Sequence, residues 1–292
     1  MKYVILGSSG FIGRHLCERL SQDETNEIRL IPRDMYGNPY KLEKYLTAEN
    51  PDYIINCAAY GNHANQNQED NLDELYFSNV ISPLHLLTAT KHIPYKGLIL
   101  MGSSSEYGRQ SEPMKENETP LATDTFYGAT KVAQTYLARA FARQFDKPIL
   151  VVRPFSVYGP GEAEFRFIPT LIRSILTGEH IVVDPSPRHD WIYIDDFVDI
   201  LLRLIANPES YKQEVVNIGT GDDYTNMQVV RYLEYTANSS VNFEIKGSLR
   251  NFDTAESWKA DTSLMVHLAG RNTKYHITAG LVRTYEHYKQ RA

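Results

Sequence analysis

An α/β protein built on a doubly wound parallel sheet is the fold class that this 292-residue chain predicts. Three observations carry it. Short continuous apolar runs recur as strands buried on both faces, near 3–7, 27–31, 53–57, 97–101, 149–153 and 215–219. Stretches of helical periodicity separate them, near 11–22, 39–48, 74–91, 127–145 and 195–206. The first strand also runs directly into a glycine turn and a helix.

That opening unit is Lys2-Tyr3-Val4-Ile5-Leu6, then Gly7-Ser8-Ser9-Gly10-Phe11-Ile12-Gly13, then Ile12, Leu16 and Leu20 at helical spacing. Gly7 permits the tight turn, Gly10 lets backbone approach a pyrophosphate, and Gly13 lets helix and strand pack closely. The amides and the positive dipole end of the helix favour an anion there, which implies a dinucleotide and a Rossmann-like sheet. The spacing is G-x-x-G-x-x-G rather than the commoner G-x-G-x-x-G. In the helix near 127–145, Val132, Ala133, Tyr136, Leu137, Ala140 and Phe141 form a stripe wide enough for more than one neighbour.

Composition fits a soluble enzyme. Hydrophobic content of 42% supports a sizeable core, and a formal charge of −6 gives no electrostatic case for nucleic acid or an anionic membrane. Cys17 and Cys57 fall on separate elements and read as reduced core residues, with no disulfide framework and no metal-ligand spacing. The first strand begins at residue 2, which leaves no room for a signal peptide, and no apolar stretch approaches a membrane span. The expected location is the cytoplasm.

The residues that point to chemistry are Tyr127 and Lys131, one helical turn apart. A cation about 4 Å from a phenol is worth roughly 4 kcal/mol at an intermediate dielectric, enough to bring the phenol toward neutral pH as a general acid or base. The strand Lys96-Gly97-Leu98-Ile99-Leu100-Met101 ends in Gly102-Ser103-Ser104-Ser105-Glu106-Tyr107-Gly108, a hydroxyl cluster where open α/β sheets bind ligands.

Together these segments resemble the extended short-chain dehydrogenase/reductases, specifically the NAD(P)-dependent nucleotide-sugar epimerase, reductase and dehydratase group. The resemblance covers nearly the whole chain. Asp52-Tyr53-Ile54-Ile55-Asn56-Cys57-Ala58-Ala59 resembles the strand ending beneath the cofactor, and Asn79-Val80 contains the family's structural asparagine. Val152-Arg153-Pro154-Phe155-Ser156-Val157-Tyr158-Gly159-Pro160-Gly161 resembles the strand and loop closing over the nicotinamide. Asp190-Trp191-Ile192-Tyr193-Ile194-Asp195-Asp196 and Val216-Asn217-Ile218-Gly219-Thr220-Gly221 resemble the return to the sheet and its last strand.

The resemblance implies catalytic roles for Ser103, Tyr127 and Lys131: a hydroxyl on the reacting sugar oxygen, the proton donor or acceptor, and a lysine that also holds the nicotinamide ribose. It implies cofactor contacts from Gly7, Ser9, Gly10, Phe11, Ile12, Gly13, Ala58, Ala59, Asn79, Tyr127, Lys131 and Pro154. Substrate contacts are expected from Tyr60, Ser103, Ser104, Ser105, Tyr127, Ser156, Arg166 and Arg188. The Rossmann domain spans 1–160 and 188–221, and the smaller substrate lobe spans 161–187 and 222–292. Helices near 74–91 and 127–145 form the dimer seam of many relatives, which predicts a homodimer.

The chain departs from the family between residues 31 and 52, where the usual strand–helix–strand shrinks to one short connection. At the end of the second strand Leu30-Ile31 is followed by Pro32-Arg33, with Asp34 after it. A guanidinium suits a 2′-phosphate, so Arg33, assisted by Arg14, favours NADP(H) over NAD(H); the alternative has Asp34 accepting from the ribose of NAD.

Dehydratases of the group carry aspartate and glutamate after the Ser103 position. Here Ser104 and Ser105 stand there, with Glu106 one place late and turned to the other face. The expected reaction is reduction of a 4-keto hexose nucleotide with Tyr127 as proton donor, a reading that the NADP preference, the short carboxyl-terminal lobe and the Ala59-Tyr60-Gly61 turn favour. The alternative is a nucleotide-sugar 4-epimerase with tightly bound NAD. The non-enzymatic reading is an NADP-sensing regulator, which retention of Ser103, Tyr127 and Lys131 opposes.

Overall fold

The computed structural model describes residues 1–61, 71–247 and 257–291. The expected carboxyl-terminal lobe therefore includes residues 248–256 and 292, which lie outside the described residues. The chain begins with β1 (Lys2–Leu6), α1 (Phe11–Leu20) and β2 (Glu27–Leu30), then a 3₁₀ turn (Arg33–Met35), α2 (Pro39–Glu49) and β3 (Tyr53–Asn56). Next come α3 (Leu72–Tyr76), a π-helical turn (Phe77–Ile81), α4 (Ser82–Thr90) and β4 (Gly97–Met101). A second 3₁₀ turn (Ser104–Glu106) precedes α5 (Phe126–Phe145), β5 (Ile149–Pro154), β6 (Ser156–Tyr158) and α6 (Phe167–Thr177). Then follow β7 (Ile181–Val183), β8 (Arg188–His189), β9 (Trp191–Tyr193), α7 (Ile194–Ala206), α8 (Pro208–Gln213) and β10 (Val215–Ile218). The chain continues with β11 (Tyr224–Thr225), α9 (Asn226–Ala237), β12 (Phe243–Ile245), α10 (Ser263–Ala269) and α11 (Ile277–Lys289).

Six strands pair in the order β10-β5-β4-β3-β1-β2, every neighbour parallel. This is the expected Rossmann-like sheet. The chain reverses direction across the sheet between β1 and β3, so their carboxyl ends open the crevice where such sheets bind ligands. The shortened connection is visible as topology: one 3₁₀ turn and α2 carry β2 straight to β3, and β2 becomes the sheet edge.

Alternation along each strand divides the core into two layers. Tyr3, Ile5, Ile55, Ile99, Met101, Leu150, Val152, Val216 and Ile218 pack with α1, α6, α7, α9 and α11. Val4, Leu6, Ile54, Leu98, Leu100, Ile149, Val151 and Val215 pack with α2, α4 and α5. The first of these layers also holds Met265, Ile277, Leu281 and Tyr285, so the carboxyl-terminal helices share a core with the sheet.

Two helices differ from expectation in an informative way. The helix expected near 74–91 widens into a π turn at its middle. Pro83 explains it: a proline has no N–H to bond back and its ring crowds the carbonyl four residues earlier, here that of Asn79. In α5 the fully buried face is Gly128, Lys131, Gln134, Thr135, Ala138 and Ala142, not the apolar stripe. Leu137 and Phe141 are only partly covered, and Tyr136 is exposed. The face toward β4 and β5 carries polar groups because it builds the site.

Candidate active site

The glycine loop has the shape that a pyrophosphate needs. Gly7 has φ +73, and a Cβ there would stand 2.4 Å from the Ala58 amide nitrogen. A Cβ on Gly13 would stand 2.2 Å from the Gly7 carbonyl oxygen. Gly10 is different: its added Cβ would meet only the Gly7 oxygen, at 3.3 Å, and it caps α1 in an extended conformation. Gly7 and Gly13 are therefore set by internal packing, whereas a side chain on Gly10 would fill the space in front of the loop. The first-turn amides of Phe11 and Ile12 have no preceding helical carbonyl to bond, while their side chains pack on the core and Ser9 is exposed. The Gly7 amide donates to the Tyr36 hydroxyl at 2.7 Å, so a residue of the shortened connection holds the loop.

Beneath it, Ala58 receives support from Asn56, whose side-chain oxygen accepts its amide at 3.0 Å, and Ala59 is exposed. Asn79 is fully buried in the π turn. It accepts from the Tyr60 amide at 3.0 Å and donates to the Tyr60 carbonyl at 2.8 Å and to the Thr130 hydroxyl at 3.0 Å. Asn79, expected at the cofactor, has its side-chain amide engaged in shaping the 59–61 turn. That turn lies over the phenol ring, since a Cβ on Gly61 would be 2.9 Å from Tyr127 Cδ2.

Ser103, Tyr127 and Lys131 come together at the carboxyl end of β4. Thr125 caps α5 by accepting the Gly128 amide at 3.0 Å. Gly128 lets the helix approach the serine turn, where a Cβ would be 2.6 Å from the Ser105 carbonyl oxygen. The Ser103 hydroxyl accepts from the Ser105 amide at 3.1 Å and favours loss of the Tyr127 proton. Lys131 donates to the Met101 carbonyl at 2.9 Å and to Gln134 Oε1 at 3.3 Å, and Gln134 donates to the same carbonyl at 3.0 Å.

Electrostatics correct the expectation of a phenol poised by its lysine. The Lys131 ammonium lies 6.0 Å from the centroid of the Tyr127 ring, because it is drawn down to Met101 and Gln134. Burial pushes the Tyr127 phenol up to about 12, opposed by the Ser103 hydrogen bond and by the charge of Arg166. Burial also pulls Lys131 down to about 8, opposed by Glu106. In this state Tyr127 holds its proton at neutral pH and is a donor.

The expected anion ligands lie elsewhere in their partnerships. Arg33 is exposed and paired with Glu74, so it faces a carboxylate where a 2′-phosphate ligand is expected. Arg14 donates to the Gly161 carbonyl at 2.7 Å and joins α1 to the 159–161 loop. Arg188 makes a forked pair with Asp223, at 3.1 and 2.9 Å, as β8 pairs β11. Arg166 caps α6 and bonds Glu162 at 3.2 Å. Ser104 turns its hydroxyl to accept the Trp258 indole N–H at 3.2 Å. Pro154 ends β5 half-buried, and Ser156 donates its amide to the Asp190 carbonyl at 2.9 Å.

Some site residues were not legible in advance. Glu162 is buried and pushed up to about 7, with Arg166 opposing; the i,i+4 spacing of the pair is its only sequence signal. Tyr36 and Trp258 reach the site from distant parts of the chain and leave no local pattern.

A parallel sheet with a glycine cradle at its switch point, and with a buried serine and lysine flanking a half-buried tyrosine, defines a dinucleotide-dependent oxidoreductase of the extended short-chain type. The chain belongs to the NAD dependent epimerase/dehydratase family, whose model matches residues 3–219. It is 27% identical over 267 residues to the uncharacterized UDP-glucose epimerase YtcB of Bacillus subtilis (strain 168), covering 80% of this chain and 81% of that one. Among solved structures, MoeE5 in complex with UDP-glucuronic acid and NAD superimposes with a TM-score of 0.88 at 26% identity over the full length of both chains. UDP-glucuronic acid 4-epimerase from Bacillus cereus shares the fold with a TM-score of 0.91 at 23% identity, again over the full length of both. No helix among the described residues is long and apolar enough to cross a membrane, and no group of metal-ligating side chains occurs among them.

Proposed function

We propose that this protein is an NAD-dependent 4-epimerase of a UDP-linked hexose or hexuronate. The observation that carries the reading is a glycine cradle, at the sheet edge that also bears Ser103, Tyr127 and Lys131, whose expected 2′-phosphate ligand, Arg33, is paired with Glu74. One of the three supports of the reductase reading was an NADP preference, and a guanidinium bonded to a carboxylate no longer argues for it. The UDP-glucuronic acid and NAD held by MoeE5, and the likeness to the UDP-glucose epimerase YtcB, support the epimerase reading over the reductase.

Gly7, Gly10 and Gly13 with the first-turn amides of α1 would hold the NAD pyrophosphate, and Lys131 the nicotinamide ribose. When bound, NAD supplies a reversible hydride acceptor and a positive charge. Ser103 donates to the sugar C4 oxygen and fixes its direction. Once bound substrate and cofactor have brought Tyr127 to its phenolate, it would take the proton from that oxygen in one half-reaction and return it in the other; of the chain's own charges, that of Arg166 favours the phenolate. Tyr60 and Ser156 would contact the sugar, and the described residues within 161–187 and 222–291 would supply the sugar-nucleotide lobe. Exposed Leu72, Tyr76, Phe126 and Tyr136 on α3 and α5 support a homodimer through these helices.

The test is incubation of the purified protein with UDP-glucose and UDP-glucuronic acid, followed by proton NMR. The expected result is the C4 epimer of one of them with no net absorbance change at the reduced-cofactor band. Stoichiometric oxidation of NADPH by 4-keto sugar nucleotides, with no epimer formed from either UDP-sugar, would establish the reductase instead.

A further inference from the structure

The glutamate that follows the serine cluster is not idle. We propose that Glu106 is a positioning residue that ties the Ser103 turn to the helix bearing Tyr127 and Lys131. The inference rests on the reading above only in taking those three side chains as the proton-handling group.

Glu106 is fully buried, and both carboxylate oxygens are committed. Oε1 accepts the Ser103 amide at 2.9 Å. Oε2 accepts the Thr135 hydroxyl at 2.8 Å and the Arg153 guanidinium at 2.9 and 2.8 Å. One side chain therefore links three elements: the turn after β4, helix α5 and strand β5. Thr135 lies one turn beyond Lys131 and two beyond Tyr127, on the buried face of α5. With the Ser103 amide held on one side and Thr135 on the other, the Ser103 hydroxyl is fixed against the Tyr127 phenol.

A buried ion pair is weak evidence for stability, since desolvation offsets much of its attraction. Glu106 and Arg153 alone would be such a pair. The added bonds to the catalytic turn and the catalytic helix are what give the carboxylate a directional task. The groups facing it are Lys131, Tyr127 and Thr135 from α5, the Ser103 amide from the turn, and Arg153 from β5. Arg153 in turn donates to the Tyr107 hydroxyl at 2.8 Å and, at 3.5 Å, to the carbonyl of half-buried Glu116. The negative charge also favours the ammonium of Lys131, which burial alone would push lower.

The test uses the full-length protein labelled with ¹³C at lysine Cε, the Lys131 signal being identified by its loss in Lys131→Met. In Glu106→Gln the Lys131 midpoint should fall by at least about half a pH unit, because the supporting charge is gone. The double variant Glu106→Gln/Arg153→Met removes both buried charges and supplies the same titration if the single variant does not fold. Thr135→Val keeps the ion pair and the Ser103 bond but cuts the tether; its kcat should fall about tenfold with KM near the wild-type value. An unchanged Lys131 midpoint without Glu106, or wild-type kcat in Thr135→Val, would overturn the proposal. Wild-type protein that turns over no UDP-sugar while the midpoint shifts would sink the epimerase reading and leave the role of Glu106 standing.

Discussion

The proton-handling end of the crevice and its anion-handling periphery are built from different kinds of contact. At the first, Ser103, Tyr127 and Lys131 are held by backbone groups and short buried partners: the Ser105 amide, the Met101 carbonyl and Gln134. At the second, Arg14, Arg33 and Arg188 have each found an internal acceptor, respectively the Gly161 carbonyl, Glu74 and Asp223. A short side chain on a regular element goes where the backbone sends it. A long exposed cation goes to whichever acceptor folding brings within reach, and that acceptor can be anywhere in the chain.

The comparison is broken most severely at Tyr127. Tyr127→Phe removes one hydroxyl and little volume, so NAD binding and fold should survive while kcat falls at least about a hundredfold. A kcat within a few-fold of wild type on the turned-over UDP-sugar would show that the proton moves through another group.

The glycine loop separates binding from packing. Gly10→Val should remove NAD binding, read by calorimetry, with little loss of thermal stability, because its side chain would project into the cradle rather than the core. Gly13→Ala should instead lower the melting temperature, since its methyl would collide with the Gly7 carbonyl. Equal effects of the two would erase the distinction.

Proton occupancy of Lys131 gives a smaller, pH-dependent effect. Burial brings its ammonium down to about 8 from the ordinary 10.5. Raising the pH through that value removes the proton, and with it the charge and one donor. NAD affinity should therefore weaken several-fold between about pH 7 and about pH 9.5, and the change should vanish in Lys131→Met. A pH-independent affinity in the wild type would place the ribose contact elsewhere.

Smallest of all is the expected effect at Arg33. With Glu74 already on the guanidinium, Arg33→Asp should change the ratio of NADPH to NADH affinity by less than about threefold. A large loss confined to NADPH would mean that the arginine leaves Glu74 for a 2′-phosphate.

The same division explains what the sequence made legible. Strand order and the placement of Gly7, Gly13, Ser103 and Tyr127 follow from periodicity and turn chemistry, which are local. The π turn at Phe77–Ile81 was encoded in Pro83, though the helical pattern on either side masked it. The buried face of α5 could not be read from hydrophobicity, because Lys131, Gln134 and Thr135 are there for the site and the apolar stripe is left partly uncovered. The phenol pKa is not legible in the spacing for a related reason. Spacing puts Lys131 within reach of Tyr127, but the Met101 carbonyl, thirty residues away in sequence, competes for its ammonium.

The central claim is that the hydrogen removed from C4 returns to C4 of the same sugar while Tyr127 shuttles the proton. It is tested most directly with UDP-glucuronic acid and UDP-glucose deuterated at C4, incubated with the NAD-loaded protein in ordinary water and analysed by NMR and mass spectrometry. The account predicts a C4 epimer that retains its deuterium, formed by the wild type and lost in Tyr127→Phe. No epimer from either substrate, or an epimer carrying solvent hydrogen at C4, would contradict it.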